Sequence, residues 1–164
     1  MTRQQLLVAE WMSSPVEVVT SEMPLADAYN TMMRKGIRRL PVVHNDRLVG
    51  IVTIGDLREA RPSPATSLSI YELNYLLAKL TVGQVMTHNP YTVRPSTSIQ
   101  EAARIMLRHK IGGMPVVNDE GKVVGVVTES DIFRMLIDQW DYFAVEPKDS
   151  LVPVIATQQL ANGR

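Results

Sequence analysis

The chain has 164 residues, with 17 basic and 17 acidic side chains and a formal net charge of zero. That length suits one domain or two small lobes, and the balanced charge argues against bulk attraction to nucleic acid or to an anionic membrane. The absence of cysteine excludes disulfides and cysteine-ligated zinc or iron–sulfur sites. No apolar run approaches the roughly 18 residues of a membrane span, and the run at residues 6–9 is too short for a signal-peptide core. We therefore expect a soluble cytoplasmic protein.

The first part of the chain predicts one short strand, a helix, a hairpin and a second helix. The strand is expected at residues 16–19, where β-branched residues cluster. A helix should begin near Pro24, continue as an apolar stripe at helical spacing, and end at Gly36. Residues 40–54 form two β-branched runs around a polar turn, which is typical of a hairpin. The second helix begins after Thr53.

The same order of elements is predicted again further along the chain. A short strand is expected at residues 91–93, a helix through residues 99–106 and a hairpin over residues 114–128. A final helix follows Thr128 and extends to about residue 143. Each part is therefore a β-α-β-β-α unit.

The predicted units are joined and followed by segments of a different character. Residues 61–67 are rich in proline and serine and predict an extended linker, and residues 70–80 predict a helix with leucines on one side. The tail at residues 146–164 carries two prolines and a short apolar run. That run suits either an edge strand or a frayed end, and the sequence does not decide between them.

The two units also match residue by residue. Residues 12–58 recur at residues 86–133, first 74 positions later and then, after one inserted residue, 75 positions later. A repeat of this kind indicates a duplicated fold. One unit of about 50 residues is marginal by itself. We therefore expect two copies to pack sheet against sheet and to leave a cleft between them.

The strongest local motif is GIVTIGD at residues 50–56, repeated as GVVTESD at residues 125–131. In each copy a strand ends and a helix begins at the threonine. The helix N-terminus and the threonine hydroxyl suit a phosphate, and the aspartate three residues later can accept two ribose hydroxyls. Threonine and aspartate at this spacing also form a capping box, in which each side chain bonds the helix backbone. The motif alone leaves both interpretations open.

The ordered set of features at residues 12–56 and again at residues 86–131 resembles a CBS domain, the cystathionine β-synthase type, present twice. The resemblance implies an α/β (α+β) fold of two β-α-β-β-α repeats, packed sheet to sheet with pseudo-twofold symmetry. It also implies two clefts that bind adenosine derivatives, such as AMP, ADP, ATP or S-adenosylmethionine, with AMP or ATP as the first expectation. No catalytic residue, metal site or other cofactor is expected.

The resemblance assigns roles to individual positions. It implies that Asp56 and Asp131 hold ribose and that Thr53 and Thr128 touch phosphate or ribose. It places further candidate ligand-binding residues around the base and phosphates: Ile37, Arg38, Arg39, Pro41, Thr92, Ile111, Gly112, Gly113 and Pro115. Thr92 matches a position that often faces adenine in this family.

The repeats differ where arginines in one copy align with glycines in the other. Arg38 and Arg39 stand where Gly112 and Gly113 stand. The arginines could bind a polyphosphate through forked hydrogen bonds or be solvated charges at a strand edge. The glycines could let a ligand approach the backbone or could ease a bend. A cleft without arginines should prefer fewer phosphates.

The sequence as a whole predicts a regulatory sensor rather than an enzyme. We divide it into an N-terminal segment, a first repeat, a linker with a helix, a second repeat and a tail, at residues 1–10, 11–60, 61–84, 85–140 and 141–164. A homodimer and an effector protein of unknown identity are expected as partners, and neither nucleic acid nor a membrane is. The alternative is a protein-interaction scaffold whose clefts are vestigial and empty.

Overall fold

The computed structural model describes residues 6–60 and 78–140. In the first range the elements are α1 (Val8–Trp11), β1 (Val19–Thr20), α2 (Leu25–Lys35), β2 (Arg39–His44), β3 (Arg47–Thr53) and α3 (Ile54–Glu59). In the second they are α4 (Val82–Val85), β4 (Thr87–His88), α5 (Ile99–His109), β5 (Gly113–Val117), β6 (Val123–Thr128) and α6 (Glu129–Trp140). The predicted linker at residues 61–67, most of the predicted helix at 70–80 and the tail at 146–164 lie outside these ranges.

The long helices α2 and α5 form where apolar residues recur at helical spacing. In α2 the buried residues are Leu25, Ala28 and Met32, and α5 buries the corresponding positions. Both helices end at a residue in the left-handed conformation. Gly36, with φ of 64°, adopts it without a Cβ penalty, whereas Lys110, with φ of 54°, takes the same conformation at a cost of about 1 kcal/mol.

The strands form one sheet of four strands and one of two. The four-stranded sheet has the order β1-β2-β3-β4, and β5 pairs with β6. Strands β2 and β3, like β5 and β6, are the predicted hairpins and are antiparallel. The predicted first strands are shorter than expected: β1 begins only at Val19, and Val93 makes a single parallel bridge to Val116.

The two repeats exchange their first segments. Strand β4, from the second half of the chain, pairs with β3 of the first repeat. Ser13, from the start of the chain, makes the equivalent bridge to Val126. The short helices follow the same rule, because Val8 of α1 is buried in the core of the second repeat and Val82 of α4 in the core of the first.

Glycines permit this exchange at the point where the segments cross. A Cβ atom on Gly50 would lie 2.5 Å from the Met86 sulfur, and one on Gly125 would lie 2.5 Å from the Met12 sulfur. A Cβ at either position would force the methionine side chain to move, and it would also lie only 3.0 or 3.1 Å from a backbone carbonyl oxygen of the crossing segment. The repeated methionine and the repeated glycine of the sequence are thus the two sides of one contact, formed between repeats rather than within one.

The architecture is the predicted α/β pair of β-α-β-β-α repeats related by pseudo-twofold symmetry. Each repeat encloses its own apolar core, built from one hairpin, one long helix and the exchanged helix of the other repeat. None of the helices within the described ranges combines the length and the apolar character needed to cross a bilayer.

Candidate functional site

Two cavities lie between the repeats at matched positions. The first has a volume of about 340 Å³ and is lined by Thr128 and Asp131 of the second repeat together with residues 35–39 of the first. We call it the Asp131 cleft. The second has a volume of about 460 Å³ and is lined by Thr53 and Asp56 together with residues 111–113. We call it the Asp56 cleft. Both volumes fall in the range of small-molecule sites.

In each motif the threonine bonds the aspartate side chain three residues later, as the capping interpretation predicts. Oδ2 of Asp56 accepts hydrogen bonds from the Thr53 backbone N–H at 2.7 Å and from the Thr53 hydroxyl at 2.8 Å. Oδ2 of Asp131 accepts the equivalent bonds from Thr128, both at 2.8 Å. In the first copy the Asp56 N–H also donates to the Thr53 hydroxyl oxygen at 3.4 Å, so the capping box is complete and the capping interpretation is confirmed there. In the second copy the bonds to the Asp131 carboxylate are present. These bonds occupy one carboxylate oxygen in each copy.

The other oxygen of each aspartate is left for a different partner. Oδ1 of Asp131 faces Arg134 at 3.3 Å, and Oδ1 of Asp56 makes no hydrogen bond within the described ranges. Asp131 is only 1% exposed, whereas Asp56 is half-buried. A carboxylate oxygen has more than one acceptor site, so Asp131 can accept a further hydroxyl beside Arg134.

The helix N-termini are less open than the sequence suggests. The first N–H of α3, at Ile54, donates to the Arg38 carbonyl at 2.9 Å, and the first N–H of α6, at Glu129, donates to the Gly112 carbonyl at 3.3 Å. These groups were expected to be free for a phosphate. Because the carbonyl of the residue just before β2 or β5 already accepts from each of these N–H groups, an anion in either cleft depends more on cationic side chains than on these amides.

Arg39 crosses from the first repeat to the second. Its Nη1 donates to the Gly112 carbonyl at 2.6 Å, and a Cβ on Gly113 would collide with the same guanidinium. The glycines of the second repeat thus make room for the arginine that replaces them in the first. Of the two predicted alternatives, the solvated charge at a strand edge is wrong for Arg39, since its side chain is partly buried and bound to protein. The phosphate-binding alternative stays a prediction.

The guanidinium of Arg39 contributes positive charge to both clefts. Burial lowers the pKa of Arg39 from its usual value and the neighbouring Arg38 charge lowers it further, while Glu129 and Asp131 oppose the shift. An arginine starts from so high a pKa that it stays protonated in neutral solution. Arg38 and Arg39 both line both cavities. The expectation of one cleft with arginines and one without is therefore wrong.

The clefts differ instead at the position just before the first strand. In the Asp131 cleft, Glu17 forms an ion pair with Lys35 at 2.7 Å, and the hydrogen bond and charge of Lys35 lower the pKa of Glu17. The matched residues in the second repeat are Tyr91 and His109, whose rings stack with centroids 3.9 Å apart. Tyr91 lines the Asp56 cleft.

Most of the predicted ligand-binding residues line a cavity. Ile37, Arg38, Arg39, Thr128 and Asp131 line the Asp131 cleft. The Asp56 cleft is lined by Arg38, Arg39, Thr53, Asp56, Ile111, Gly112 and Gly113.

Three predicted residues are absent from the linings given for the two clefts. Pro41 and Pro115 are almost fully buried within β2 and β5, and Thr92 is exposed.

Other lining residues were not predicted. These are, among others, Glu17, Lys35, Tyr91, Ser130 and Arg134. Ser130 lies inside the repeated motif, and Arg134 follows Asp131 by one helical turn, so helical spacing could have indicated both. Glu17 and Tyr91 align in the repeat but differ in chemistry. Nothing local in the sequence marks either one.

Comparison with known protein families explains why the same set of elements occurs twice in the chain. The model of the CBS domain matches twice, at residues 8–63 and 82–138. The chain belongs to the CBS domain family. Each match includes the short helix that exchanges between repeats.

Curated relatives match most of this chain. A CBS domain-containing protein of Dictyostelium discoideum is 34% identical over 134 residues, which cover 81% of this chain and 92% of that protein. Other curated relatives are longer, and the chain spans 43% and 22% of two of them. The region similar to this chain is therefore most of the first relative and a smaller part of the other two.

Two solved structures superpose well and contain ligands. The CBS domain pair of protein MJ0100, in complex with 5′-methylthioadenosine and S-adenosylmethionine, has a TM-score of 0.70 and 29% identity, covering 83% of this chain and 99% of that one. The structure of CBSX2 in complex with AMP has a TM-score of 0.67 and 30% identity, covering 82% and 98%. CBSX2 is a protein of Arabidopsis thaliana.

Proposed function

We propose that this CBS pair is a non-catalytic regulatory module that binds adenosine nucleotides, AMP or ATP first among them, in the clefts between its repeats. One arrangement carries the proposal. In each cleft a motif aspartate keeps an oxygen that the helix cap does not use, and Arg38 and Arg39 stand nearby. A carboxylate suits ribose hydroxyls and a guanidinium suits phosphate. The related pairs that hold AMP, 5′-methylthioadenosine and S-adenosylmethionine share the adenosine group.

Binding rather than catalysis suits the state of the reactive groups. Asp56 and Asp131 cap their helices, and Glu17 is paired with Lys35. A general base or a nucleophile needs an available acceptor and a partner that activates it. The described clefts use their carboxylates for structure and leave spare oxygens suited to hydroxyl groups.

The proposed signal comes from where the clefts lie. Each is lined by both repeats, so a bound nucleotide contacts the two at once and stabilises one relative arrangement. A ligand shifts such an equilibrium only by the difference in its affinity for the two arrangements. A cytoplasmic effector protein that recognises one arrangement would receive the signal.

The exposed side of α6 supports a homodimer as the assembled form. Phe133 and Ile137 are 63% and 64% exposed, and Leu136 lies beside them on the same helix. The residue aligned with Phe133 in the first repeat is Arg58, so the first repeat has a charged side chain at the position where this apolar face has a ring. A contiguous apolar face on a soluble protein marks an interaction surface.

The same face favours a second function, an interaction scaffold with empty clefts. A scaffold would bind a partner protein through α6 and be indifferent to nucleotides. Saturable binding of nucleotide with a shift in melting temperature separates the two functions, because only the sensor requires it.

A calorimetric panel of AMP, ATP, S-adenosylmethionine and NAD tests the proposal. At least one ligand should bind and, at about 100 times its dissociation constant, should stabilise the fold by about 2.7 kcal/mol. Absence of heat and of any melting shift with all four ligands would remove the sensor function and leave the scaffold.

A further inference from the structure

The clefts share a backbone frame but differ in chemistry at four matched positions. The Asp131 cleft is lined by Glu17, Lys35, Ser130 and Arg134. The corresponding residues of the other repeat are, in the same order, Tyr91, His109, Gly55 and Glu59. Two of the four changes replace a cation with a neutral or acidic side chain, and one removes a hydroxyl. The fourth change places the acid Glu17 in the Asp131 cleft where the other repeat has Tyr91, but Lys35 pairs with that acid. Taken together, the four positions make the Asp131 cleft the better anion site, because Lys35 and Arg134 line it and the Asp56 cleft has no cation at either position.

Lys35 and Arg134 retain capacity for a phosphate although each has an acidic partner. Lys35 bonds Glu17 at 2.7 Å, and Arg134 contacts Asp131 at 3.3 Å. An ammonium carries three donors and a guanidinium five, and both side chains are about half exposed at the cavity wall. Their spare donors are available in the Asp131 cleft alone. Arg38 and Arg39 line both clefts and do not discriminate.

Tyr91 gives the Asp56 cleft a feature that the other cleft lacks. Its ring stacks on that of His109 at an interplanar angle of 24°, and the residue as a whole is 52% exposed. His109 holds the ring from one face, which leaves the other face or the edge for the cleft that Tyr91 lines. A held aromatic ring of this kind is a stacking platform for a flat base. Glu17, at the matched position, is a charged chain and offers no such surface.

We propose that the two clefts divide adenosine ligands by charge. The Asp131 cleft takes the phosphorylated nucleotide, with Lys35 and Arg134 on the phosphate. The Asp56 cleft takes an adenosine compound without phosphate, whose base stacks on Tyr91. This inference rests on the proposed function and adds which class of ligand each cleft selects.

The test is a calorimetric titration of the full chain with AMP and, separately, with adenosine. Asp131→Asn and Asp56→Asn assign each binding event to a cleft, because asparagine retains a capping acceptor but loses one ribose acceptor. Arg134→Gln and Lys35→Gln should each weaken the affinity for AMP about tenfold and leave the affinity for adenosine within about twofold of the wild-type value. Tyr91→Ala should weaken the affinity for adenosine about tenfold and leave the affinity for AMP unchanged. Tyr91→Phe retains the aromatic ring and should therefore retain the affinity for adenosine.

Matched controls exist outside the clefts. Arg104 is paired with an acid three residues away, as Arg134 is, and is similarly exposed. Lys122 is paired with Glu120, and its side chain is about as exposed as that of Lys35. Arg104→Gln and Lys122→Gln should leave both affinities unchanged, which separates a local phosphate contact from a change in overall charge.

The outcomes distinguish this inference from the proposed function. Binding of AMP and adenosine with the same preference in both clefts, or equal losses in the cleft and control variants, would overturn the division while leaving the nucleotide sensor intact. If neither ligand bound at all, the sensor and the division would both be wrong.

Discussion

At the scale of single residues, two glycines of the second repeat accommodate an arginine of the first. Arg39 donates to the Gly112 carbonyl and lies over Gly113. Gly113 is the residue that aligns with Arg39 in the second repeat, and it has no side chain. The pseudo-twofold symmetry therefore breaks at the contact between the clefts. One guanidinium serves two cavities, since a second one at Gly113 would occupy the same space.

Gly113→Ala should destabilise the protein by about 1–3 kcal/mol. The new Cβ would meet the Arg39 guanidinium, which can move, and the Val127 carbonyl oxygen at 2.8 Å, which is part of β6 and cannot move cheaply. Chemical denaturation measures the loss. Gly55→Ala is the control, because its Cβ would meet only the Thr53 hydroxyl at 3.4 Å. Equal stability of the two variants would show that Gly113 is not sterically required.

Asp131 combines a structural and a proposed ligand role, which substitutions can separate. Asp131→Ala leaves the Thr128 N–H without its acceptor and should cost about 1–3 kcal/mol of unfolding free energy. Asp131→Asn supplies an amide oxygen to that N–H and should cost less. Both variants should lose the ligand-induced rise in melting temperature at this cleft. An Asp131→Asn variant that kept the full rise would remove the aspartate from the ribose role.

The sequence predicts the contact or role of a residue well when the residues involved are close together in the chain. Thr53 and Asp56 lie one helical turn apart, so spacing alone indicated their contact, and Gly36 was expected to end α2 for the same kind of reason. The route of Arg39 across Gly113 joins residues 74 positions apart. No periodicity encodes a contact at that distance, so the sequence predicts the arginines at one cleft, whereas in the structure they line both.

At the scale of elements, α6 has one face in the core and an apolar strip outside it. Met135 is buried, whereas Phe133 and Ile137 are mostly exposed. Helical periodicity predicted the helix, but periodicity reports only that apolar residues recur, and it does not say which of two apolar strips packs within the chain. The second strip is the one that we propose as the contact surface of a homodimer.

Phe133→Glu should weaken self-association by about tenfold or more, because it places a charge in an apolar contact. Sedimentation velocity over a range of concentrations measures the effect. Arg58→Glu, at the aligned position of the first repeat, is the matched control and should leave the association constant unchanged. A monomeric wild-type protein at all concentrations, or an unaltered dimer in the Phe133→Glu variant, would contradict the assignment.

At the scale of the whole molecule, the exchange of first segments ties the repeats into one unit. The hairpins were predictable from alternating β-branched runs, but the partner of β4 was not. A two-residue strand has too little pattern to specify its neighbour, and the crossing point is marked only by Gly50 and Gly125. The start of the predicted first repeat, at residue 11, leaves out Val8, which is buried in the core of the second.

Val8→Ala should destabilise the second repeat in preference to the first, by about 2 kcal/mol. Hydrogen exchange should show reduced amide protection in β5 and β6, with less change in β2 and β3. Val82→Ala is the reciprocal variant and should show the reverse, because Val82 is buried in the first core. Equal loss of amide protection in both hairpins would contradict the exchange. So would a greater loss in β2 and β3 for Val8→Ala, or in β5 and β6 for Val82→Ala.

The most direct measurement for the central claim is a crystal structure of the full chain grown with saturating AMP. We expect AMP in the Asp131 cleft, with its ribose hydroxyls within hydrogen-bonding distance of Asp131 and its phosphate beside Lys35 and Arg134. An Asp131 cleft that stayed empty at saturating AMP, or AMP bound only outside the two clefts, would contradict the account.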